Sequence, residues 1–510
     1  FDRAAAAAYD PTAPAAFMTL EEISSTYGAP TDVIESATTA MRDHGVEVSA
    51  DPSGAALWGT VDASDAEELF GVEFETQDID GGGQSIWARG MPKVPDGVDG
   101  VRSVVGLAAT LTADGTEGGD STSTSAPTTT SGSTSSTAPL PACPGGQVTR
   151  SSLAQTYGVE QPVTQGATGE GVTVAMVEIQ SFDARVFQTY DGCAAGALDA
   201  AHVSQTSVEP APPPTPGSEV ALDTVAVGLL APGAAQQVTR FDPESSIVFP
   251  LLSILDAAGD GQTPEVLLLS VGFCEIARGA DEIELGERLL ATFALTGTTA
   301  VASSGDLGSS SCHPGTDDPA VQYPTSSAWV TSIGGAEFDG TAAEPAALEV
   351  WNGTPGSDNA GGGGISTKVA RPEWQTATNV DGDMRVVPDV AAFAAPGGVG
   401  LFPTCDDDGC AWQGLGGTSL SGAAVAGALA LLLDGSDGPD GAAGAEAARR
   451  VGHLAPLLVG SAGQVTTDIT VGDNQVFTER CCTAAAGYDL ASGWGLVGLP
   501  GLVGSAGARR

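Results

Sequence analysis

This 510-residue sequence predicts an α/β fold, a parallel sheet with helices on both faces, preceded by a small α+β domain. Three observations carry that expectation. Short apolar runs alternate with helical stretches from residue 143 onward, the pattern of a sheet buried on both sides. A Ser/Thr/Gly/Pro-rich segment at 111–142 separates a cysteine-free part from a part holding all eight cysteines. Finally, Gly416-Gly417-Thr418-Ser419-Leu420-Ser421-Gly422 runs into small apolar residues as far as Leu433, which reads as a tight turn entering a buried helix.

The first domain, 1–110, has helical patterning over Leu20 to Tyr27, Thr31 to His44 and Ser64 to Phe70. Val46 to Ala50, Ala55 to Val61 and residues 85–91 read as strands, with a last helical piece near Val101 to Gly106. Two halves of alternating helix and strand suggest a split β-α-β sandwich. The 111–142 segment has almost no large apolar residues to offset its ordering entropy, so it reads as a linker. In the second domain, 143–510, strands are expected at Val172 to Ile179, Val266 to Val271 and Thr299 to Ser303. Helices are expected at Glu219 to Leu230 and Glu282 to Leu295.

Composition narrows the function. The net charge is −46, from 64 acidic and 18 basic residues, and the lysines are Lys93 and Lys368 alone. Such a surface repels nucleic acid and anionic membranes, and it suits an acidic or salty medium. No apolar run is long enough to span a bilayer. No cysteine or histidine spacing suits zinc, and an even cysteine count in this context favours disulfides and an oxidising compartment. Cys405 and Cys410 can close a local loop; Cys143–Cys193 and Cys274–Cys312 are two of the many further pairings open. The opening FDRAAAAAYD contains no signal peptide and is what a cleaved one could leave.

Three stretches carry chemistry. Ser419 stands at a helix N-terminus, where free N–H groups and the helix dipole favour developing negative charge; a plain helix cap has the same sequence. Glu219 and Asp223 are four apart on one helix, whose start Ser218 can cap, so their carboxyls face the same way about 6 Å apart. In a cleft such a pair shares a proton and can deprotonate serine in acid, where imidazole is already protonated; on an open surface it is a solvated acidic face. Asp306 follows a buried-type strand within Ser304-Gly305-Asp306-Leu307-Gly308, at the carboxyl edge of the sheet. A protonated Asp there can donate to an oxyanion, or simply form a turn. His44, His202, His313 and His453 lie in no recognisable catalytic setting.

Together these motifs resemble the sedolisin family of serine-carboxyl peptidases. Glu219-x-x-x-Asp223, the following Ala231-Pro232-Gly233-Ala234, Ser304 to Gly308 and Gly416 to Ser419 match its signatures in order. Trp58-Gly59-Thr60, Leu69-Phe70-Gly71 and Val104-Val105-Gly106-Leu107 resemble markers of its amino-terminal pro-domain. The resemblance implies a subtilisin-like sheet, catalytic Glu219, Asp223, Asp306 and Ser419, and a secreted, monomeric, acid-acting endopeptidase made as a zymogen. Its partners would be protein or peptide substrates and its own pro-domain, without nucleic acid or membrane. A tripeptidyl peptidase, or an inactive member serving as a binding module, are the alternatives. The resemblance also implies one structural Ca2+, held by the side chains of Asp468 and Asp489 and the carbonyls of Ile469, Ala485 and Gly487. Two departures stand out. Val271 replaces a frequent Trp, and Ser181-Phe182-Asp183-Ala184 replaces a Gly-Tyr-Asp-Glu string, so an outer acid of the proton network is expected to be missing.

Overall fold

The computed structural model describes residues 17–79, 83–111, 141–193, 198–208, 214–259, 262–338, 340–341, 344–345, 347–353, 358–394, 401–406, 408–434, 450–477 and 481–499. The greater part of the expected linker, 112–140, lies outside the described residues.

The amino-terminal unit is α+β. Helices α1 (Leu20–Tyr27), α2 (Thr31–Asp43) and α3 (Ala63–Phe70) fall where the patterning put them. Thr19 caps α1 in a capping box with Glu22, satisfying two otherwise free N–H groups. A short pair, Ser49–Ala50 with Leu57–Trp58, and an antiparallel sheet of β1 (Glu73–Ile79), β2 (Gly83–Arg89) and β3 (Ala108–Leu111) complete it. The expected helical piece at Val101 to Gly106 does not form; the chain there is irregular and enters β3. Gly100 and Gly106 bracket it at φ +85° and +80°, and its valines are β-branched, so a helix gains little there. A Cβ at Gly106 would overlap the Phe249 ring, so this glycine lets the unit lie close against its neighbour.

The large unit is built on a ten-stranded, mostly parallel sheet. Its members are β4 (Thr173–Glu178), β5 (Val203–Ser207), β6 (Ala235–Arg240), β7 (Val266–Leu269), β8 (Thr299–Ser303), β9 (Thr331–Glu337), β10 (Glu349–Val350), β11 (Val390–Phe393), β12 (Thr466–Thr467) and β13 (Leu496–Val497). The order across the sheet is β12-β13-β11-β9-β8-β7-β4-β6-β5, with β10 antiparallel beside β9. Successive strand residues serve opposite faces. Val174, Met176, Leu268 and Val301 pack under α4 (Ser218–Leu230) and α7 (Thr418–Leu432). Ala175, Val177, Leu267 and Ala300 pack under α5 (Val248–Ala258) and α6 (Ala280–Leu295).

Helices α4 and α7 are apolar on nearly every side because they lie between the sheet and other chain, not at the surface. They meet at Gly427, where a Cβ would stand 3.0 Å from Val227 Cα and 3.2 Å from Leu230 Cβ. This contact brings two helix N-termini together at the carboxyl edge of the sheet, where open α/β folds place their sites. Gly427→Ala is therefore expected to cost about 1–3 kcal/mol through overpacking, read from thermal or denaturant unfolding.

The two units touch through the α5–α6 side. Leu20 joins the core formed by Leu251, Leu289 and Phe293, and Met18 N–H donates to Leu295 O at 3.0 Å. At the periphery Ser85 Oγ donates to Glu244 Oε2 at 3.0 Å, and Arg102 pairs with Glu284. Four disulfides are present: Cys143–Cys193, Cys274–Cys312, Cys405–Cys410 and the adjacent pair Cys481–Cys482.

Candidate active site

Helix α4 starts one residue earlier than the motif suggested. Gly217, in extended conformation, is the N-cap, and Ser218 is the first helical residue, not the cap. A glycine cap has no side chain to offer the free N–H groups, and here Gln180 Oε1 accepts from Glu219 N–H at 3.1 Å. Glu219 keeps part of its side chain toward solvent, but its Oε1 is shut off from water and makes no hydrogen bond. One turn on, Asp223 is completely buried.

A third carboxyl joins them. Glu178, the last residue of β4, is completely buried and faces both Asp223 and Glu219. The outer acid expected to be missing is thus present, supplied by the strand end rather than by the Ser181 to Ala184 string. Its signal in the sequence was a lone Glu closing an apolar strand run, Val172 to Val177. Ser270, just beyond β7, is the side-chain hydroxyl nearest in effect to Asp223. The carboxyl oxygens of Glu178 and Asp223, with Ser270 Oγ, approach one another without a hydrogen bond of full geometry. The arrangement is a loose set of acids that can exchange protons, not a closed structural network.

Burial dominates the electrostatics. The Glu219 carboxyl is pushed up to about 8, first by burial and then by repulsion from Asp223, with the Ser419 hydroxyl pulling it back and Asp306 adding a smaller upward push. Burial likewise raises Asp223 to about 7 against the lowering effect of Ser270 and Glu178. Glu178 is held well above the carboxylate range, first by burial and then by repulsion from Asp223 and Glu219. Part of the Glu219 rise is repulsion from an ionised Asp223, so it applies to the second proton the pair loses and not to the first.

Asp306 lies three residues beyond β8. Its Oδ1 accepts from Thr418 N–H and Thr418 Oγ1, each at 2.8 Å, and Thr418 Oγ1 in turn accepts from Gly305 N–H at 3.0 Å. These bonds tie the turn after β8 to the first residue of α7. Gly417, at φ +97°, is the N-cap, and a Cβ there would overlap the Asp306 carboxyl. Burial raises the Asp306 carboxyl, with the two Thr418 hydrogen bonds opposing. Ser419 follows in the first turn of α7 and is only 8% exposed.

The four sequence-predicted residues therefore come within electrostatic reach of one another: the Ser419 hydroxyl and the Asp306 carboxyl both act on Glu219, which lies one turn from Asp223. Three of the four histidines are engaged elsewhere. His44 contacts Asp96 O, His313 contacts Asp317, and His453 is buried between Trp329 and Trp374.

The predicted cation residues also come together. Gly487 N–H donates to Asp468 Oδ2 at 3.0 Å and Ala485 N–H to Asp489 Oδ2 at 2.9 Å, so two carboxylates clasp one loop from either side. Among the described residues no hydrogen bond takes the carbonyls of Ile469, Ala485 or Gly487.

A subtilisin-like sheet with a serine at a helix N-terminus and buried carboxyls in place of imidazole defines a narrow class. No protein-family model matches the chain. Kumamolisin of Bacillus sp. (strain MN-32) is 30% identical over 347 residues, 65% of this chain and 59% of that protein. Sedolisin of Pseudomonas sp. (strain 101) is 29% identical over 287 residues, 54% of this chain and 46% of that protein. The chain thus spans about half of the length of the curated relatives it matches. The solved Pseudomonas sedolisin, a serine-carboxyl proteinase complexed with two molecules of pseudo-iodotyrostatin, shares the fold at TM-score 0.56 and 24% identity, covering 70% of this chain and 97% of that one. The chain is thus similar in sequence to kumamolisin and sedolisin and shares the fold of the latter.

Proposed function

We propose that the protein is a secreted serine-carboxyl endopeptidase, made as a zymogen and active in acid. The observation that carries this reading is that Asp306 is hydrogen-bonded to Thr418, the neighbour of Ser419, while the Ser419 hydroxyl and the Asp306 carboxyl both act on Glu219, which has the fully buried Asp223 one turn away. Glu219, oriented by Asp223, takes the hydroxyl proton as Ser419 Oγ attacks the peptide carbonyl. Protonated Asp306 and the Ser419 N–H hold the oxyanion. Glu219 then returns the proton to the leaving amine, and water, deprotonated in the same way, releases the acyl group. Glu178 extends the carboxyl set and gives the shared proton a further place to reside. Acid action follows from the donor: a carboxylic acid can stabilise an oxyanion only while it keeps its proton. The base pair needs one negative charge, so activity occupies the interval between the first ionisation of the pair and the ionisation of Asp306.

The amino-terminal unit acts as inhibitor and folding aid for the large unit, with cleavage in the 111–142 linker. Four disulfides support an oxidising, extracellular setting. Among the described residues no helix is long and apolar enough to cross a membrane. We infer one Ca2+ at the 485–489 loop, with Asp468, Asp489 and the carbonyls of Ile469, Ala485 and Gly487 as the residues that would hold it; the ion would neutralise two carboxylates and brace the loop. Chelation is expected to lower the unfolding temperature of wild type and not of Asp468→Asn.

The test is cleavage of denatured protein, and of the chain's own linker, followed by gel at acid and neutral pH. Ser419→Ala and Glu219→Ala are each expected to leave an uncut two-domain chain. Normal processing of Glu219→Ala would remove that residue from its role.

A further inference from the structure

Gln180 takes no part in the reaction above. Gln180 lies two residues beyond Glu178, where the chain leaves β4 and runs beside the segment entering α4. Ser181 bridges Pro216, and Ser181 N–H donates to Thr215 O at 2.9 Å. The Gln180 amide rests on Gly217 so closely that any Cβ there would overlap it. Its Oε1 accepts the N–H of Glu219 itself. The same short stretch thus carries Glu178, which faces Asp223 and Glu219, and the amide that closes the helix start under Glu219.

We propose that Gln180 is a positioning residue: it supplies from outside α4 the N-cap that Gly217 cannot, and so fixes the backbone of Glu219 against Ser419. Three features argue for a dedicated role over incidental contact. A Ser, Asp or Asn at 217 would be the ordinary way to cap this helix, and the extended backbone there (φ −148°, ψ 167°) suits one. Glycine stands there instead, and the space its side chain would need is filled by Gln180. The capped N–H belongs to Glu219 and to no other residue of the first turn. A cap taken from the strand end also locks α4 to β4, so Glu178 and Glu219 keep a fixed relation. A base placed about 1 Å away from its proton loses rate steeply, so the cap is expected to act on the chemical step more than on substrate binding.

This inference rests on the peptidase reading, and the test separates the two. Steady-state cleavage of a quenched-fluorescent peptide is measured with the processed enzyme, alongside unfolding temperatures. Gln180→Ala is expected to lower kcat about five- to tenfold, the equivalent of one N-cap, with KM changed less than about twofold. Gln180→Ala with Gly217→Ser frees the space and restores a cap within the helix, so kcat is expected to return to within about twofold of wild type. Gln180→Glu keeps an acceptor but adds a carboxyl near Glu219, which already faces Glu178 from β4, Asp223 from α4 and Asp306 from beyond β8. Its kcat at the optimum is expected to hold while the acid limb of the pH profile moves upward by about half a unit or more. That variant decides the matter if Gln180→Ala does not fold. Wild-type kcat in Gln180→Ala, a double variant as slow as the single one at equal stability, or an unmoved profile in Gln180→Glu would overturn the proposal. A wild-type enzyme that cleaves nothing would instead overturn the peptidase reading, and this inference with it.

Discussion

Two sets of buried acids in this molecule are treated in opposite ways. Asp389 is fully buried and paired with the equally buried Arg385 through two hydrogen bonds of 2.7 Å. It also accepts from Gln375 Nε2 at 3.1 Å and from Ser332 N–H at 2.8 Å. Arg385 lies over the Trp374 ring. Glu178 and Asp223 are buried as deeply, and Glu219 partly so, but they face one another, with no cation among the groups that act on them. The first arrangement satisfies its charge and fixes structure. The second leaves protons undecided, which is what a proton-transferring site requires and what a stable core avoids.

That contrast can be broken most severely at the ion pair. Arg385→Ala leaves Asp389 charged and unpaired at zero exposure, and is expected to cost about 3–5 kcal/mol in denaturant unfolding. Asp306→Ala should leave the fold standing and lower kcat by about 10²–10³, the loss of one oxyanion donor. Asp306→Asn sharpens the same point: its amide donates at every pH, so the alkaline limb of the rate profile should move upward. The smallest effect concerns stability. Glu219 and Asp223 have folded-state values raised above their unfolded ones, so their contribution is fully present at low pH and is lost as pH rises through about 7 to 8. Glu219→Gln and Asp223→Asn are therefore expected to raise the unfolding temperature relative to wild type at pH 8 and to change it little at pH 4. A destabilisation at pH 8 would mean the carboxyls are paired as Asp389 is.

Much of this was readable beforehand, for local reasons. Strands and helices of the large unit follow apolar period and length, and α4 and α7 announce themselves by uninterrupted small and apolar residues. Glu219, Asp223, Asp306 and Ser419 sit in short strings whose glycines and spacing are visible in one dimension. What escaped is what depends on contact between distant segments. Glu178 matters because β4 ends against α4, and Gln180 because its amide fills the space over Gly217; neither fact has a local pattern. Glu73–Ile79, with Phe74 and Ile79 its apolar residues, shows too little alternation to mark a strand, and Val101 to Gly106 forms no helix because a valine pair can serve packing without one.

The most direct measurement is kcat/KM of the processed wild-type enzyme against pH from 3 to 8. A serine driven by carboxyls, with a protonated Asp306 as oxyanion donor, gives a bell with its maximum on the acid side of neutrality and activity lost by pH 8. A rate still rising at pH 8 would contradict it.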